Sequence, residues 1–317
     1  MGLMEKKLGK ATRDAYGEAL ITLGKNNPDI VVLDADLSKS TKTAKFGATY
    51  PDRFFNVGIQ EANLVGVACG LASCGKTPFI SSFASFLMCK GYDQLRMGAA
   101  LSETNVKVVA SHGGITVGED GASQMSIEDI ALATTLPGFS VMIPSDEIQT
   151  RALVIQSAAM KGPVYMRTCR PKAPIIHQEN AEFEIGKGIL HREGKDVTLI
   201  ATGLLVFEAL QAAEELEKEG VNAGVLEIHT IKPLDEKLIL EAAQKTGKLV
   251  VAEEHQIWGG LGSAVAALIS REAPCPMEFV AIQDTYAESG QPDELLDQYG
   301  LSAPHIVTAA KRVLKKA

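Results

Sequence analysis

One carboxylate of this sequence lies where a predicted strand gives way to a helix. The segment Val57-Gly58-Ile59-Gln60-Glu61 begins in the strand, and Glu61 opens the helix that follows. Helix N-termini favour a negative charge, so the segment taken alone indicates an ordinary first-turn glutamate. Its setting among other polar strand ends allows a second interpretation, in which Glu61 is a buried group that shares a proton with a ligand.

A pair of phenylalanines three residues apart follows the next predicted strand. Phe83 and Phe86 occur in the segment SFASF, in a chain with only 5% aromatic residues. Packing in the core is the usual fate of phenylalanine. The functional alternative is a flat apolar wall against which a heteroaromatic ring could lie.

A glycine-rich segment, SHGGITVGEDG, follows a further predicted strand and spans residues 111–121. It carries His112, Glu119 and Asp120, and Gln124 comes shortly after it. A lone histidine is more often structural, but small residues let the backbone approach a ligand closely, so this loop is the better catalytic candidate. It lacks the Lys-Ser/Thr end of a nucleotide-binding P-loop.

Cationic side chains stand near other strand ends. Arg13, Arg167 and Arg170 carry guanidinium groups, and Ser40 lies in the loop at residues 36–41. Guanidinium forks suit phosphate, although surface arginines are common. Each residue alone is therefore weak evidence for an anion site.

Alternating strands and helices must position these groups. The predicted strands are nearly continuous apolar runs, as expected where helices cover both faces of a sheet. They span residues 30–34, 54–57, 77–81, 106–111, 140–143, 164–168, 197–201, 223–227, 249–252 and 277–281. The predicted helices span residues 12–25, 61–74, 92–102, 127–135, 146–161, 205–219, 235–246, 262–270 and 304–315. This alternation predicts parallel βαβ units, in which binding sites form at the carboxyl ends of the strands.

The alternation is interrupted once, at PKAPIIHQEN, which has two prolines and no periodicity and indicates a linker. We therefore predict an α/β protein with two three-layer αβα domains and mostly parallel sheets. The first domain covers residues 1–175, the linker residues 176–190 and the second domain residues 191–317.

Composition sets further bounds. The chain has 317 residues, 46% hydrophobic and 22% charged, with a net charge of -8 and no basic run, so nucleic acid is not an expected partner. It has no apolar run of membrane-spanning length and no signal-peptide pattern, which predicts a cytoplasmic protein. The five cysteines have no metal-ligand spacing and indicate reduced thiols, with Cys69 and Cys74 as small core residues.

A series of segments, in this order along the chain, resembles the transketolase family. They are ATRDAYGEAL, DADLSKST, PDRFFNVGIQEAN, SHGGITVGEDGASQMSIEDIA, YMRTCRPKAP, TIKPLD and GGLGSAV. The combination of GIQEAN, VGEDGxSQ and RTxRP is specific, whereas no single piece would be. The resemblance covers the pyrimidine-binding domain and the C-terminal domain of that family, and it implies dependence on thiamine diphosphate.

The resemblance implies roles in cofactor binding. Glu61 matches the glutamate that bonds N1′ of the aminopyrimidine and thereby helps the 4′-nitrogen to remove the thiazolium C2 proton. Phe83 and Phe86 match the apolar pocket of the pyrimidine ring, and Asp36 matches a residue near the cofactor.

The resemblance also implies roles toward the substrate. Asp120 matches the residue that recognises the hydroxyl configuration of the donor, and Gln124 stands where other members have His or Gln. The cluster that binds the sugar phosphate is matched by Arg13, Ser40, His112 and Arg170. The implied reaction moves a two-carbon glycolaldehyde unit from a ketose phosphate to an aldose phosphate, as in the pentose phosphate pathway.

A loop of the family has no match in this sequence. Transketolases hold the cofactor diphosphate through Mg²⁺ or Ca²⁺ in a Gly-Asp-Gly…Asn loop of a preceding domain, and we find no Gly-Asp-Gly here. The implied partner is an N-terminal transketolase subunit that holds the metal, in a heterotetramer with two copies of each chain. No metal ligand is predicted in this chain, and its C-terminal domain is expected to serve packing and dimerisation.

Other functions fit parts of the pattern. The β subunit of a 2-oxo acid dehydrogenase E1 component has the same two-domain layout, and 1-deoxyxylulose-5-phosphate synthase is a further relative of this type. Arg13, His112 and Arg170 favour a phosphorylated sugar over a 2-oxo acid. A non-catalytic structural or regulatory subunit is the alternative outside enzymology, but such a subunit has no need of Glu61.

Overall fold

Short apolar and β-branched segments form two sheets in the computed structural model, which describes residues 6–316. Strands β1 to β6 are Ile30–Asp34, Phe54–Asn56, Thr77–Ser81, Lys107–Ala110, Ser140–Met142 and Val164–Arg167. Strands β7 to β12 are Ile189–Arg192, Val197–Ala201, Ala223–Glu227, Thr230–Lys232, Leu249–Gln256 and Met277–Ile282.

Helices cover the faces of both sheets. Helices α1 to α8 are Thr12–Asn26, Ser38–Thr41, Ala44–Thr49, Glu61–Ser73, Ala84–Lys90, Tyr92–Gln94, Asp129–Thr135 and Glu147–Ala159. Helices α9 to α13 are Leu205–Lys218, Glu236–Thr246, Leu261–Glu272, Pro292–Gln298 and Ala303–Leu314. A π-helical stretch, Leu95–Leu101, continues α6, and single 3-10 turns lie at Pro51–Arg53 and Gly118–Asp120.

The first sheet has seven strands in the order β10-β5-β6-β4-β3-β1-β2. All of its pairings are parallel except that of β10, which is antiparallel to β5 and pairs Thr230 with Met142. The second sheet has five strands in the order β12-β11-β8-β9-β7, and only its edge strand β7 is antiparallel. Because β10 comes from the second half of the chain, that half completes the edge of the first sheet.

The predicted α/β fold with two mostly parallel sheets is confirmed. The bounds of β1, β3, β8 and β9 are those predicted from the apolar runs. Two short edge strands, β7 and β10, were not predicted, and β7 begins inside the predicted linker. The predicted helix at residues 92–102 is π-helical from Leu95 onward.

A continuous apolar core connects the two sheets. It runs from Leu33 and Ile80 in the first sheet through Ile228 and Ile231 to Val251 in the second. Separate apolar clusters lie under α1 and α8 on the first sheet, and under α9 and α13 on the second. The two sheets therefore stabilise each other by shared burial of apolar surface.

Two sequence-based expectations concern single features of the surface. Cys69 is buried as predicted, but Cys74 is exposed because it ends α4, so the prediction of a core position was wrong for Cys74. Within residues 6–316, every helix is too short or too polar to cross a membrane.

Candidate active site

Glu61 is buried at the start of α4, with 2% of its surface exposed. Ser82 Oγ donates a hydrogen bond to Glu61 Oε1 at 3.0 Å. The nearest cation, Lys90 Nζ, lies 3.9 Å from Oε2, too far for a direct hydrogen bond. The carboxylate therefore has one oxygen held by a neighbour and one available to a ligand with a hydrogen-bond donor.

Aromatic rings lie beside this carboxylate at the start of α5. The rings of Phe83 and Phe86 are stacked, with centroids 5.4 Å apart. The ring of His112 is also stacked with Phe83, with centroids 3.7 Å apart, whereas Phe86 is half-buried. Lys90 Nζ is 4.7 Å from the Phe86 centroid, so Lys90 links the ring pair to Glu61.

His112 is a buried, neutral imidazole just beyond the end of β4. Arg13 Nη1 lies 3.2 Å from its Nε2, and Ser111 Oγ lies 2.8 Å from its Nδ1. Burial, together with the positive charges of Arg13, Arg170 and Lys42, lowers the pKa of His112 to about 3. The residue is therefore uncharged at neutral pH, although it belongs to a positively charged neighbourhood.

The arginines predicted to bind phosphate flank His112. Arg13 also donates to the backbone oxygen of Ser40 at 3.1 Å, while its Nε is buried and has no partner among residues 6–316. Arg170 donates to the Val117 carbonyl at 2.8 Å and to Glu119 Oε2 at 2.6 Å. The donors that remain on these two guanidinium groups could bind an anion.

Three predicted site residues lie at the margin of this group. Asp36 is exposed and accepts a hydrogen bond from Asn56 Nδ2 at 2.9 Å. Asp120 is exposed in the 3-10 turn, and its charge acts on Arg13. Gln124 is held beside α5, because its backbone carbonyl accepts a hydrogen bond from Ser85 Oγ at 3.2 Å.

Arg167 is not part of the cationic group, contrary to the sequence-based grouping. Its guanidinium is buried and paired with Asp129, with Nε 2.8 Å from Oδ2. Its Nη1 donates to the Glu254 carbonyl at 2.7 Å, so it joins the two halves of the chain. Gly113 and Gly114 leave room at this junction, since a Cβ on Gly113 would collide with the Arg167 side chain and a Cβ on Gly114 with the Glu254 carboxylate.

The segment at residues 253–255 serves the same junction. Glu253 accepts hydrogen bonds from the backbone nitrogens of Leu261 and Gly262, at 2.7 and 2.8 Å, and so caps α11. Glu254 Oε1 accepts from Thr116 N at 2.6 Å. These contacts give the end of β11 a structural role, because they cap α11 and hold the backbone at Thr116.

Sequence reasoning missed several residues that organise the site. Ser82 and Lys90 contact Glu61. The position of Lys90 beside the Phe86 ring could have been predicted, because residues four apart on a helix lie on the same face. Asp34 is buried and binds the hydroxyls of Thr41 and Thr43, at 2.6 and 2.9 Å, which shapes the loop that carries Ser40. The run of hydroxyl residues after Asp34 could have indicated this loop.

The fold is that of a two-domain α/β protein with mostly parallel sheets. A buried carboxylate beside stacked aromatic rings marks a candidate ligand site at the strand ends of its first sheet. The chain belongs to the transketolase family. Residues 9–175 match the model of the transketolase pyrimidine-binding domain, and residues 186–306 match that of the transketolase C-terminal domain. The family depends on thiamine diphosphate.

Known relatives cover nearly the whole chain. It is 43% identical over 304 residues to a 6-deoxy-6-sulfo-D-fructose transketolase subunit, SqwH, of a Clostridium species, covering 96% of this chain and 94% of the relative. It is 41% identical over 311 residues to human transketolase, covering 97% of this chain but 49% of the human protein. A solved structure described as a split gene transketolase, an inactive beta4 tetramer, superposes with a TM-score of 0.91 at 47% identity, covering 96% of this chain and 99% of that one.

The residues present fit the aminopyrimidine end of the cofactor. Glu61 offers a carboxylate oxygen without a direct hydrogen bond to Lys90, and Phe86 offers a half-buried ring next to it. A buried acceptor beside an aromatic wall is what a flat heterocycle with a polar edge requires.

Proposed function

We propose that this chain is the C-terminal subunit of a two-subunit transketolase. It would transfer a two-carbon glycolaldehyde unit from a ketose phosphate to an aldose phosphate, a reaction of the pentose phosphate pathway. The observation that carries the proposal is the buried carboxylate of Glu61, fixed by Ser82 and adjacent to the Phe83–Phe86 ring pair. Membership of the transketolase family supports the choice of reaction.

In this proposal Glu61 holds a proton at N1′ of the aminopyrimidine. Its burial excludes water from that hydrogen bond, and Phe83 and Phe86 cover the ring. When bound, thiamine diphosphate supplies the electron sink for breaking and forming the carbon–carbon bond. An N-terminal partner subunit would hold the diphosphate and its Mg²⁺ or Ca²⁺, in a heterotetramer with two copies of each chain.

The substrate would lie against the cationic group. Arg13 and Arg170 supply charge-assisted hydrogen bonds to a tetrahedral oxyanion, with Ser40 and His112 beside them. Gln124 and Asp120, on the segment that follows, would recognise hydroxyl groups of the donor. Asp36 would lie near the cofactor, on the loop organised by Asp34.

A sulfonated sugar is a second candidate donor. The relative named as a sulfofructose transketolase subunit is 43% identical over 94% of its length. A sulfonate is also a tetrahedral oxyanion, so Arg13 and Arg170 suit it as well, although it carries less charge than a phosphate dianion. Donor competition decides between the two.

A reconstitution assay tests the proposal. The purified chain is mixed with a subunit that carries the Gly-Asp-Gly…Asn loop, thiamine diphosphate and Mg²⁺, and is supplied with xylulose 5-phosphate and ribose 5-phosphate. We expect transfer only in the mixture, and loss of transfer when Glu61→Gln replaces the wild-type chain. In parallel assays 6-deoxy-6-sulfofructose and pyruvate replace the phosphorylated donor.

Each other outcome contradicts a defined part of the proposal. Full activity of the isolated chain refutes a division of the site between two subunits. Preferred turnover of pyruvate indicates a 2-oxo acid dehydrogenase or a deoxyxylulose-phosphate synthase. Complex formation without turnover of any donor indicates a structural or regulatory subunit.

A further inference from the structure

A cluster of histidines and carboxylates is buried where the chain passes from the first sheet to the second. His177 lies in the connecting segment, and His191 lies on the edge strand β7. Glu227 ends β9 and is fully buried, as is Asp146, the N-cap residue of α8. The cluster therefore joins the first domain, the connection and the second sheet, away from Glu61.

The hydrogen bonds of the cluster leave acceptors facing each other. His177 Nδ1 is 3.0 Å from Asp146 Oδ2, so Nδ1 carries a proton that it donates to Asp146. The other nitrogen, His177 Nε2, lies 3.0 Å from Glu227 Oε2, and His191 Nε2 lies 2.7 Å from the same oxygen. In a neutral His177, therefore, the Nε2 lone pair points at a carboxylate, which is unfavourable unless a cation stands between them.

Two buried polar atoms of the cluster have no partner. Glu227 Oε1 and His229 Nε2 are both buried and make no hydrogen bond within residues 6–316. An unpaired carboxylate oxygen in the interior is costly. The unpaired oxygen of Glu227 thus points to a positive group beside this carboxylate.

The geometry matches coordination of a transition metal. One atom each from His177, His191 and Glu227 lie within 4.8 Å of one another. Zinc–ligand bonds of about 2.0–2.1 Å in a tetrahedron place neighbouring ligand atoms about 3.3 Å apart, so small side-chain movements would suffice. A carboxylate on the far nitrogen, as Asp146 provides for His177, commonly fixes the tautomer of a metal-binding imidazole.

We propose that His177, His191 and Glu227 bind one divalent transition-metal ion, for which Zn²⁺ is the best match. Two imidazoles and one carboxylate are zinc ligands, whereas Mg²⁺ and Ca²⁺ take oxygen ligands. His191 retains 14% of its side-chain exposure, so the ion can enter from solvent. Two imidazole nitrogens and both oxygens of Glu227 would make it four-coordinate. The ion would fasten the connecting segment to the edge of the second sheet, and this does not depend on the proposed transfer reaction.

In the competing account, a second proton on His177 takes the place of the metal ion between His177 and Glu227. Burial lowers the pKa of His177, but its hydrogen bonds to Asp146 and Glu227 outweigh burial and raise the pKa to about 9. A protonated His177 would bridge the two carboxylates without any metal. A protonated His177 still leaves Glu227 Oε1 without a partner. A metal ion bound by both oxygens of Glu227 would give Oε1 a partner.

Cobalt and zinc titrations of the metal-free full chain distinguish the two accounts. We expect one Co²⁺ per chain, with the intense visible absorption of four-coordinate cobalt, and displacement of Co²⁺ by Zn²⁺. His191→Ala should weaken binding by about 100-fold or more, since losing an outer hydrogen-bond partner alone costs about 10–100-fold. Zn²⁺ should raise the unfolding temperature of the wild type but not of His191→Ala.

His305→Ala is the matched control, because His305 lies on α13 far along the chain and contacts exposed Asp297 at 3.8 Å. It should bind Co²⁺ like the wild type. His191→Gln, which retains a donor for Glu227, replaces His191→Ala if the latter does not fold by circular dichroism. Absence of stoichiometric binding overturns the proposal, and so does binding that persists in both His191 variants, since the ion would then lie elsewhere, for example on the exposed thiols.

Discussion

Arg13 Nη1 lies 3.2 Å from His112 Nε2, and this contact determines which nitrogen of His112 carries the proton. A guanidinium group can only donate, so Nε2 accepts and Nδ1 donates to Ser111 Oγ, 2.8 Å away. His112 therefore orients Arg13 as a neutral acceptor. Positive charge in the candidate anion site comes from the arginines and not from the imidazole.

The neutral state of His112 predicts a loss of stability in mild acid. The unfolded chain binds a proton at His112 below about pH 6.5, whereas the folded chain does so only near pH 3. Stability linked to His112 is thus present above about pH 6.5 and decreases as the pH falls toward 3. At pH 4.5 the free energy of unfolding should therefore be lower by about 2–3 kcal/mol than at neutral pH.

Urea unfolding at pH 7.5 and pH 4.5 measures this linkage. His112→Gln should lose less unfolding free energy between the two pH values than the wild type, because glutamine does not titrate. His305→Gln, on the exposed face of α13, serves as the control and should behave like the wild type. Equal losses in the wild type and in His112→Gln would show that His112 is not held neutral.

Glu61→Gln should abolish proton sharing with the cofactor while the chain still folds. Glutamine fills the same volume and can still bond Ser82, but it cannot exchange a proton at neutral pH. In the reconstituted complex we expect proton–deuterium exchange at the cofactor C2 to slow by about 10²–10⁴. Asp93→Asn removes an exposed carboxylate on α6 and is the matched control; exchange unchanged in Glu61→Gln would refute the role.

Arg170→Ala should mainly weaken binding of the anionic end of the substrate. A charge-assisted hydrogen bond contributes about 1.5–3 kcal/mol, so KM for a phosphorylated ketose should rise about tenfold or more. Phosphate is bound alike before and during the reaction, so kcat should change little. KM for an unphosphorylated ketose such as erythrulose should remain the same.

A second arginine in an ion pair provides the control for this measurement. Arg192, on β7, pairs with Glu217 at 2.9 Å, as Arg170 pairs with Glu119. Arg192→Ala should leave both KM values unchanged. If Arg170→Ala lowers kcat without raising KM, Arg170 does not bind the phosphate equally before and during the reaction, and the prediction is wrong.

Gly114→Ala should destabilise the junction between the halves of the chain. Gly114 has a φ of 81°, and its added Cβ would meet the buried carboxylate of Glu254. Gly138 also has a positive φ, 75°, but a Cβ there meets nothing within 4 Å. Gly138→Ala therefore measures the backbone cost alone, which is about 1 kcal/mol.

The difference between the two alanine variants isolates the clash with Glu254. We expect the unfolding free energy of Gly114→Ala to fall further than that of Gly138→Ala, because Glu254 is held by Thr116 and cannot move aside freely. Chemical denaturation of both variants at one pH checks this. Equal losses would mean that the junction adapts to a methyl group at Gly114.

Local sequence signals predicted much of the fold. Central strands such as β1 and β8 are buried on both faces, so their apolar runs stand out from the helices around them. The short strand β10 carries no such signal, because its pairing with β5 depends on a partner about ninety residues earlier. The π-helical turn at Leu95 likewise depends on packing and not on a local pattern.

The sequence suggested candidate site residues, but not the contacts between them. Residue types and strand ends made Glu61, the Phe83–Phe86 pair and His112 candidates, and the family resemblance implied their roles. The structure stacks the three rings and holds Glu61 beside them through Ser82 and Lys90. Arg167 has the same residue type as Arg170, yet a buried Asp129 three elements earlier binds it. Which carboxylate an arginine meets is set by tertiary packing, which spacing along the chain does not encode.

The antiparallel strand β10 has a consequence for synthesis on the ribosome. Until residue 232 has left the exit tunnel, β5 remains an open strand edge on an otherwise assembled first sheet. Open edges recruit other strands, so a nascent chain halted after the first domain would be prone to self-association. Translation of the second half thus covers β5 with the three-residue strand β10 and ends the period in which the growing chain can aggregate through the edge of β5.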